Sequence, residues 1–287
     1  MDFLDKITRQ ISTINLEPIE EAVVKACYHD DDIPKYKHME FLIKASNQNI
    51  TKNIGRLILL QTNNDKWLPV LKSLCVVHKI MCVGGDIFIK QIYNESQILT
   101  NLTLFLDTTI GPYAGVHSQF IRKYAEYLKY KARVYYLIEL SIEKYKQQSI
   151  IKIIDNREIY FIMKAYKLWI EQYKKIFDCE LPFADTETLH PISAYAIKLL
   201  VQDCYRLYSA INISSMYLLE QFMNLDKQTG ISSVNAYKKF TSLDDKYQEW
   251  QETIKNLNIF EITSIENTPI SLDTIRKLEN YFLLSNT

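Results

Sequence analysis

A chain of 287 residues with 47% apolar content can bury a sizeable core, and its composition is far from that of a disordered protein. Six glycines and seven prolines leave few turns, which favours long helices over a many-turned β-sandwich. Thirty-four basic residues balance thirty-four acidic ones, so general adhesion to a polyanion such as nucleic acid is excluded and any anion site must be a local patch. The 20 tyrosines suit helical packing in which the ring is buried and the hydroxyl reaches water. The five cysteines are odd in number. Cys75 and Cys82, seven apart in an apolar run, read as buried free thiols rather than a disulfide or a zinc set. No leader pattern opens the chain and no stretch approaches about 18 apolar residues, so a cytoplasmic protein is expected.

Residues 1–16 place Phe3, Leu4, Ile7, Ile11 and Ile14 on one helical face. Such a segment can bury Phe3, Leu4, Ile7 and Ile11 in a bilayer, or dock on its own domain; Asp2 and Asp5 oppose the first. Pro18, with Glu17, Glu20 and Glu21 beside it, starts a helix running to about His29. Asp30-Asp31-Asp32 make a polar turn, and Pro34 starts the next helix, with Met39, Leu42 and Ile43 inward. Further helices are expected at 50–62, 65–83, 86–93 and 96–106, with Gly84-Gly85 as a stop. Gly111-Pro112 marks the clearest loop, between Asp107 and Gly115. Beyond it the elements lengthen to 115–147, 155–178, 188–224, 232–257 and 270–284. The strand-like Ile150–Ile154 run stands isolated. The pattern predicts an all-α fold: an elongated α-solenoid of short helices continuing into a bundle of long ones, as one elongated domain or two compact ones.

The segment from Lys25 to His38 carries the most chemistry. A helix start leaves backbone amides without intrahelical partners and adds partial positive charge, and Lys35, Lys37 and His38 place cationic donors on that turn. Lys25, on the preceding helix, converges on them if the two helices pack side by side. A multiply phosphorylated headgroup needs such a compact, shallow site. The plainer alternative is a solvated helix start.

Three blocks in order resemble the ANTH domains of CALM-type clathrin-assembly endocytic adaptors. Lys25-Ala26 followed by Pro34-Lys35-Tyr36-Lys37-His38 is similar to the family's Lys-Ala…Pro-Lys-Lys-Lys-His motif. Trp67 to Gly84, with Lys72-Ser73-Leu74 and His78, resembles its Trp…Lys-Ser-Leu…His helix. Phe105-Leu106-Asp107, then Phe120-Ile121-Arg122-Lys123-Tyr124 and Tyr127-Leu128, resembles its Phe-Leu-Asp…Phe-Ile-Arg-Arg-Tyr…Tyr-Leu signature. The resemblance covers roughly residues 5–147 through motifs and the rest through helical pattern.

What the resemblance implies is a headgroup site of Lys25, Lys35, Lys37 and His38 for phosphatidylinositol 4,5-bisphosphate or a related phosphoinositide. It also implies a single domain over residues 17–287, with lipid contact at about 17–60 and a long-helix end at about 115–287, and a peripheral role at clathrin-coated pits. Clathrin or its adaptors would be engaged through a tail, and a vesicle SNARE helix through the long helices. The chain departs from the family motif at Tyr36, which replaces the middle lysine, and at Asp30–Asp32, which are expected to oppose the cationic field. No catalytic constellation, cofactor motif or zinc spacing of the five histidines is present, and His78 reads as a hydrogen-bonded core residue. The expectation is therefore a non-catalytic adaptor.

Overall fold

A computed structural model describes residues 17–28, 30–48, 52–109, 114–182 and 189–257, together with Arg276, Lys277 and Asn280. The amphipathic segment 1–16, the Gly111-Pro112 loop and the 270–284 helix expected from sequence lie outside the described residues, apart from those three. Every regular element among the described residues is helical. None of these helices is long and apolar enough to cross a membrane.

The first of two compact units takes in the chain to Lys144 plus Asp178–Val201. Its helices are α1 (Pro18–Cys27), α2 (Tyr36–Asn47), α3 (Ile54–Leu60), α4 (Trp67–Val83), α5 (Asp86–Asn94), α6 (Ser96–Asn101) and α7 (Ala114–Ile138). Helix α4 is buried along most of its length, as a central helix must be, and packs against α1, α2, α3, α5 and α7. Val70, Leu71, Leu74, Val77 and Ile80 are sealed from solvent within it. Gly84 and Gly85 stop α4 as expected, but neither adopts a left-handed backbone. They are required by close approach: a Cβ on Gly85 would run into the Ser46 carbonyl at the end of α2, whose hydroxyl accepts the Gly85 N–H at 3.1 Å.

The second unit comprises Tyr145–Phe177 and the chain from Gln202. It holds α8 (Gln147–Asp155), α9 (Ile159–Phe177), α11 (Lys227–Thr241) and α12 (Asp244–Leu257), while α10 (Pro191–Glu220) contributes its residues from Gln202 onward. Its core is aromatic: Tyr208 stacks on Tyr247 at 5.4 Å, and Tyr173 meets Phe177 edge-on at 4.7 Å. Tyr166, fully buried, shares a 2.8 Å hydrogen bond with Ser215. The Tyr166 hydroxyl thus finds an interior partner rather than water.

Several elements differ in extent from the sequence expectation. Helix α2 begins at Tyr36, because Lys35 is extended and its carbonyl accepts the amides of His38 and Met39; Pro34 is buried ahead of it. The expected 115–147 helix ends at Ile138, where Glu139 takes a φ of 50° and closes the turn onto the Tyr135 carbonyl. Ile150–Ile154 forms helix, not strand, burying Ile150 and Ile154 one turn apart. The expected 232–257 element is two helices, the first capped by Asp226 accepting the Thr229 N–H at 3.0 Å.

Candidate functional site

Helices α1 and α2 pack together, and between them opens a surface cavity of about 380 Å³. From α1 it takes Pro18, Glu21, Ala22 and Lys25; from α2 it takes Lys37, His38, Glu40, Phe41 and Lys44. Spacings of four and three put Lys37, Phe41 and Lys44 on one face of α2, and a spacing of four aligns Glu21 with Lys25. The structure therefore brings Lys25, Lys37 and His38 together. Lys35 does not line the cavity; it stands exposed just before α2.

The cations are not idle. Lys25 forms an ion pair with Glu21, and Lys44 Nζ lies 2.8 Å from Glu40 Oε1. The hydrogen bond from Lys25, and then its charge, hold the Glu21 carboxyl below the usual range, with His38 and Lys37 pulling the same way. Glu40 raises the Lys44 ammonium, first by hydrogen bonding and then by charge. Three lysines and a histidine face two carboxylates, so the cavity is a self-paired, net-cationic pocket. It can exchange internal carboxylates for the oxygens of a polyanion.

The next cations along the chain, Lys52 and Arg56, are paired with carboxylates of the fold. Lys52 bridges Glu17 at 2.6 Å and Glu20 at 2.8 Å, and Arg56 lies 3.4 Å from Glu95. Asp30, expected to oppose the cationic field, instead pairs with Lys72, a lysine only 1% exposed inside α4. Asp31 sits 3.5 Å from His190, whose pKa is lowered by burial while Asp31 pulls it upward. Tyr36 is 78% exposed and lies outside the cavity lining. Glu21, Glu40 and Phe41 are the wall residues that the sequence reading did not single out; a helical wheel through Lys37 would have found the last two. Phe3, Leu4, Ile7 and Ile11 fall outside the described residues.

The other two motif blocks are ties within the first unit. Asp107 Oδ2 accepts the Trp67 N–H at 2.8 Å, capping the first turn of α4, and its Oδ1 accepts from the amide and hydroxyl of Thr109. Arg122 donates to the Phe105 carbonyl at 2.9 Å. His78 Nδ1 meets the Tyr124 hydroxyl at 2.7 Å in the core, as its apolar surroundings suggested. Trp67 stacks on His117 at 3.7 Å, and His117 Nε2 lies 2.7 Å from Ser193 Oγ. None of the five cysteines is in a disulfide; Cys82 is half-buried rather than sealed, and burial pushes the Cys27 thiol up to about 12.

Fold and pocket together define a helical scaffold carrying a cationic surface site between its first two helices. The family model of the ANTH domain matches residues 18–282, and the chain belongs to that family. The phosphatidylinositol-binding clathrin assembly protein of Rattus norvegicus is 26% identical over 275 residues, covering 93% of this chain and 42% of the relative. The clathrin coat assembly protein AP180 of Homo sapiens is 25% identical over 275 residues, covering 93% and 29%. This chain thus spans less than half the length of these relatives. A structure of helical ANTH and ENTH tubules on membranes containing PI(4,5)P2 matches with a TM-score of 0.69 at 14% identity, covering 92% of this chain and 98% of that one. The ENTH domain from epsin-2, in complex with phosphatidylinositol 4,5-bisphosphate, matches with a TM-score of 0.61 at 13% identity, covering 92% and 100%. These two share the fold.

Proposed function

We propose that this chain is a non-catalytic membrane adaptor of clathrin-mediated endocytosis. In this reading it docks peripherally on the cytoplasmic leaflet by gripping a phosphoinositide, with phosphatidylinositol 4,5-bisphosphate the leading ligand. The observation that carries the reading is the convergence of Lys25, Lys37 and His38, joined by Lys44, in one shallow cavity. Lys35, beside it, adds long-range attraction without a direct contact. The names of the relatives support the lipid and the coat, and clathrin would be engaged through sequence those longer relatives carry. Phe3, Leu4, Ile7 and Ile11 supply a second membrane element in the same reading.

The test is a triple variant, Lys37→Ala, His38→Ala and Lys44→Ala. It should lose sedimentation with PI(4,5)P2 vesicles by about a hundredfold and keep its melting temperature, since exposed side chains change stability little. Unchanged sedimentation would place the lipid site elsewhere.

A second reading, in which the second unit takes a partner helix such as a SNARE motif, is favoured by Met216 and Met223. Both stay well exposed there, and methionine adapts to varied apolar partners. Anisotropy of a labelled SNARE helix, lost in Met216→Asp and Met223→Asp, would support it.

A further inference from the structure

The cationic pocket is bordered by apolar side chains that the fold leaves in solvent. Tyr36, next in sequence to Lys37, is 78% exposed, Phe41 on the cavity wall is 42% exposed, and Ile33 in the loop ahead of α2 is 47% exposed. At 100° per residue, positions 36, 40, 44, 37 and 41 fall in that order across an arc of about 140° on α2. Tyr36 and Phe41 are the two edges of that arc, with Glu40, Lys44 and Lys37 between them. Phe41 also lines the cavity itself. A strip of charge with an aromatic residue on each margin is a poor match for a soluble polyanion, which satisfies only the middle. It matches an anionic bilayer, where headgroup phosphates meet the charged centre and the interfacial layer takes the rings. Tyrosine suits that layer, since its ring is apolar and its hydroxyl remains wet.

We propose that Tyr36 and Phe41, with Ile33 in the loop ahead of them, form an apolar rim that enters the interface of the bilayer whose headgroup occupies the pocket. The inference rests on the headgroup reading above and adds that recognition is of the lipid in its membrane, not of the phosphorylated ring alone. Tyr36, the departure from the family's lysine triplet, then exchanges a charge for an interfacial anchor.

Two measurements on the full chain separate the claims. Calorimetry with soluble inositol 1,4,5-trisphosphate reads the pocket; sedimentation with phosphatidylcholine vesicles containing PI(4,5)P2 reads pocket and rim together. Ile33→Ser and Tyr36→Ser should each leave the calorimetric affinity unchanged and weaken vesicle binding by about tenfold. Tyr36→Trp should retain binding and show fluorescence quenched by vesicles brominated in the acyl chains. Vesicle affinity unchanged in both serine variants would overturn the rim. So would an equal loss in both assays, which would make Tyr36 a pocket residue. If the unsubstituted protein binds neither the soluble headgroup nor PI(4,5)P2 vesicles above plain phosphatidylcholine, the headgroup reading itself falls and takes the rim with it.

Discussion

Under the headgroup proposal, replacing Glu21 by Gln should strengthen membrane binding, although Glu21 is a wall of the cavity. Its carboxylate pairs with Lys25 and feels His38 and Lys37, so in the free protein it occupies the place an incoming phosphate needs. The lysines of the pocket carry +3 and Glu21 and Glu40 carry −2, a formal balance of +1 with neutral histidine. Glu21→Gln leaves +3 against −1, and the balance doubles to +2. One unit of charge beside an anionic surface is worth about fivefold in affinity, which is the expected gain on PI(4,5)P2 vesicles at moderate salt. The gain should shrink as salt rises, because these groups are largely open to solvent. Thermal stability should hardly move, since a half-exposed pair four residues apart on a helix contributes little. Vesicle titration of the two proteins side by side decides the matter. Equal or weaker binding by Glu21→Gln would refute the charge argument and mean that Glu21 serves to hold Lys25 in its binding position.

Lys35→Ala should weaken vesicle binding less than Lys37→Ala, because only Lys37 lines the cavity; matching titrations reversing that order would contradict the assignment. Lys72→Met should cost about 3 kcal/mol in urea unfolding by stranding Asp30, and adding Asp30→Asn should recover most of it. For Asp107, burial raises the carboxyl pKa, but the Thr109 hydroxyl and the amides of Trp67 and Thr109 outweigh it and bring it below the ordinary 3.8. A depressed folded-state pKa contributes stability above the unfolded value, lost as pH falls through the folded one. Asp107→Asn should therefore cost about 2 kcal/mol at neutral pH, with the difference from the unsubstituted protein narrowing below about pH 3.8. A gap independent of pH would deny the carboxylate its role.

The all-helical class was legible because scarce glycine and proline and a sustained helical period agree along the whole chain. Boundaries were less so, and each miss has a local cause. Pro34 looked like a first helical residue, yet burial of its ring ahead of an extended Lys35 moves the start to Tyr36. Glu139 ends α7 in a left-handed turn that its residue type does not advertise. The Ile150–Ile154 run has the β-branched composition of a strand, and the burial of residues one turn apart decides for helix.

At the site, Lys37 and His38 were readable from local spacing, and Lys25 from the condition that α1 and α2 pack side by side. The fate of the acidic turn was not readable. Asp30 is neutralised by a lysine 42 positions away, a partnership set by the packing of α4 and by no local pattern.

That buried partnership has a bearing on how fast the pocket can work. The loop before α2 carries Ile33 and Lys35 and fixes where the helix starts, and at Asp30 it is fastened to a side chain that solvent does not reach. That fastening lowers the entropic cost of ordering the loop in the lipid encounter proposed above. Association governed by a preformed wall proceeds in one kinetic phase, at a rate set by diffusion and by the long-range field of the lysines. Under the headgroup proposal, capture of a sparse lipid would then be limited by search, not by folding on arrival.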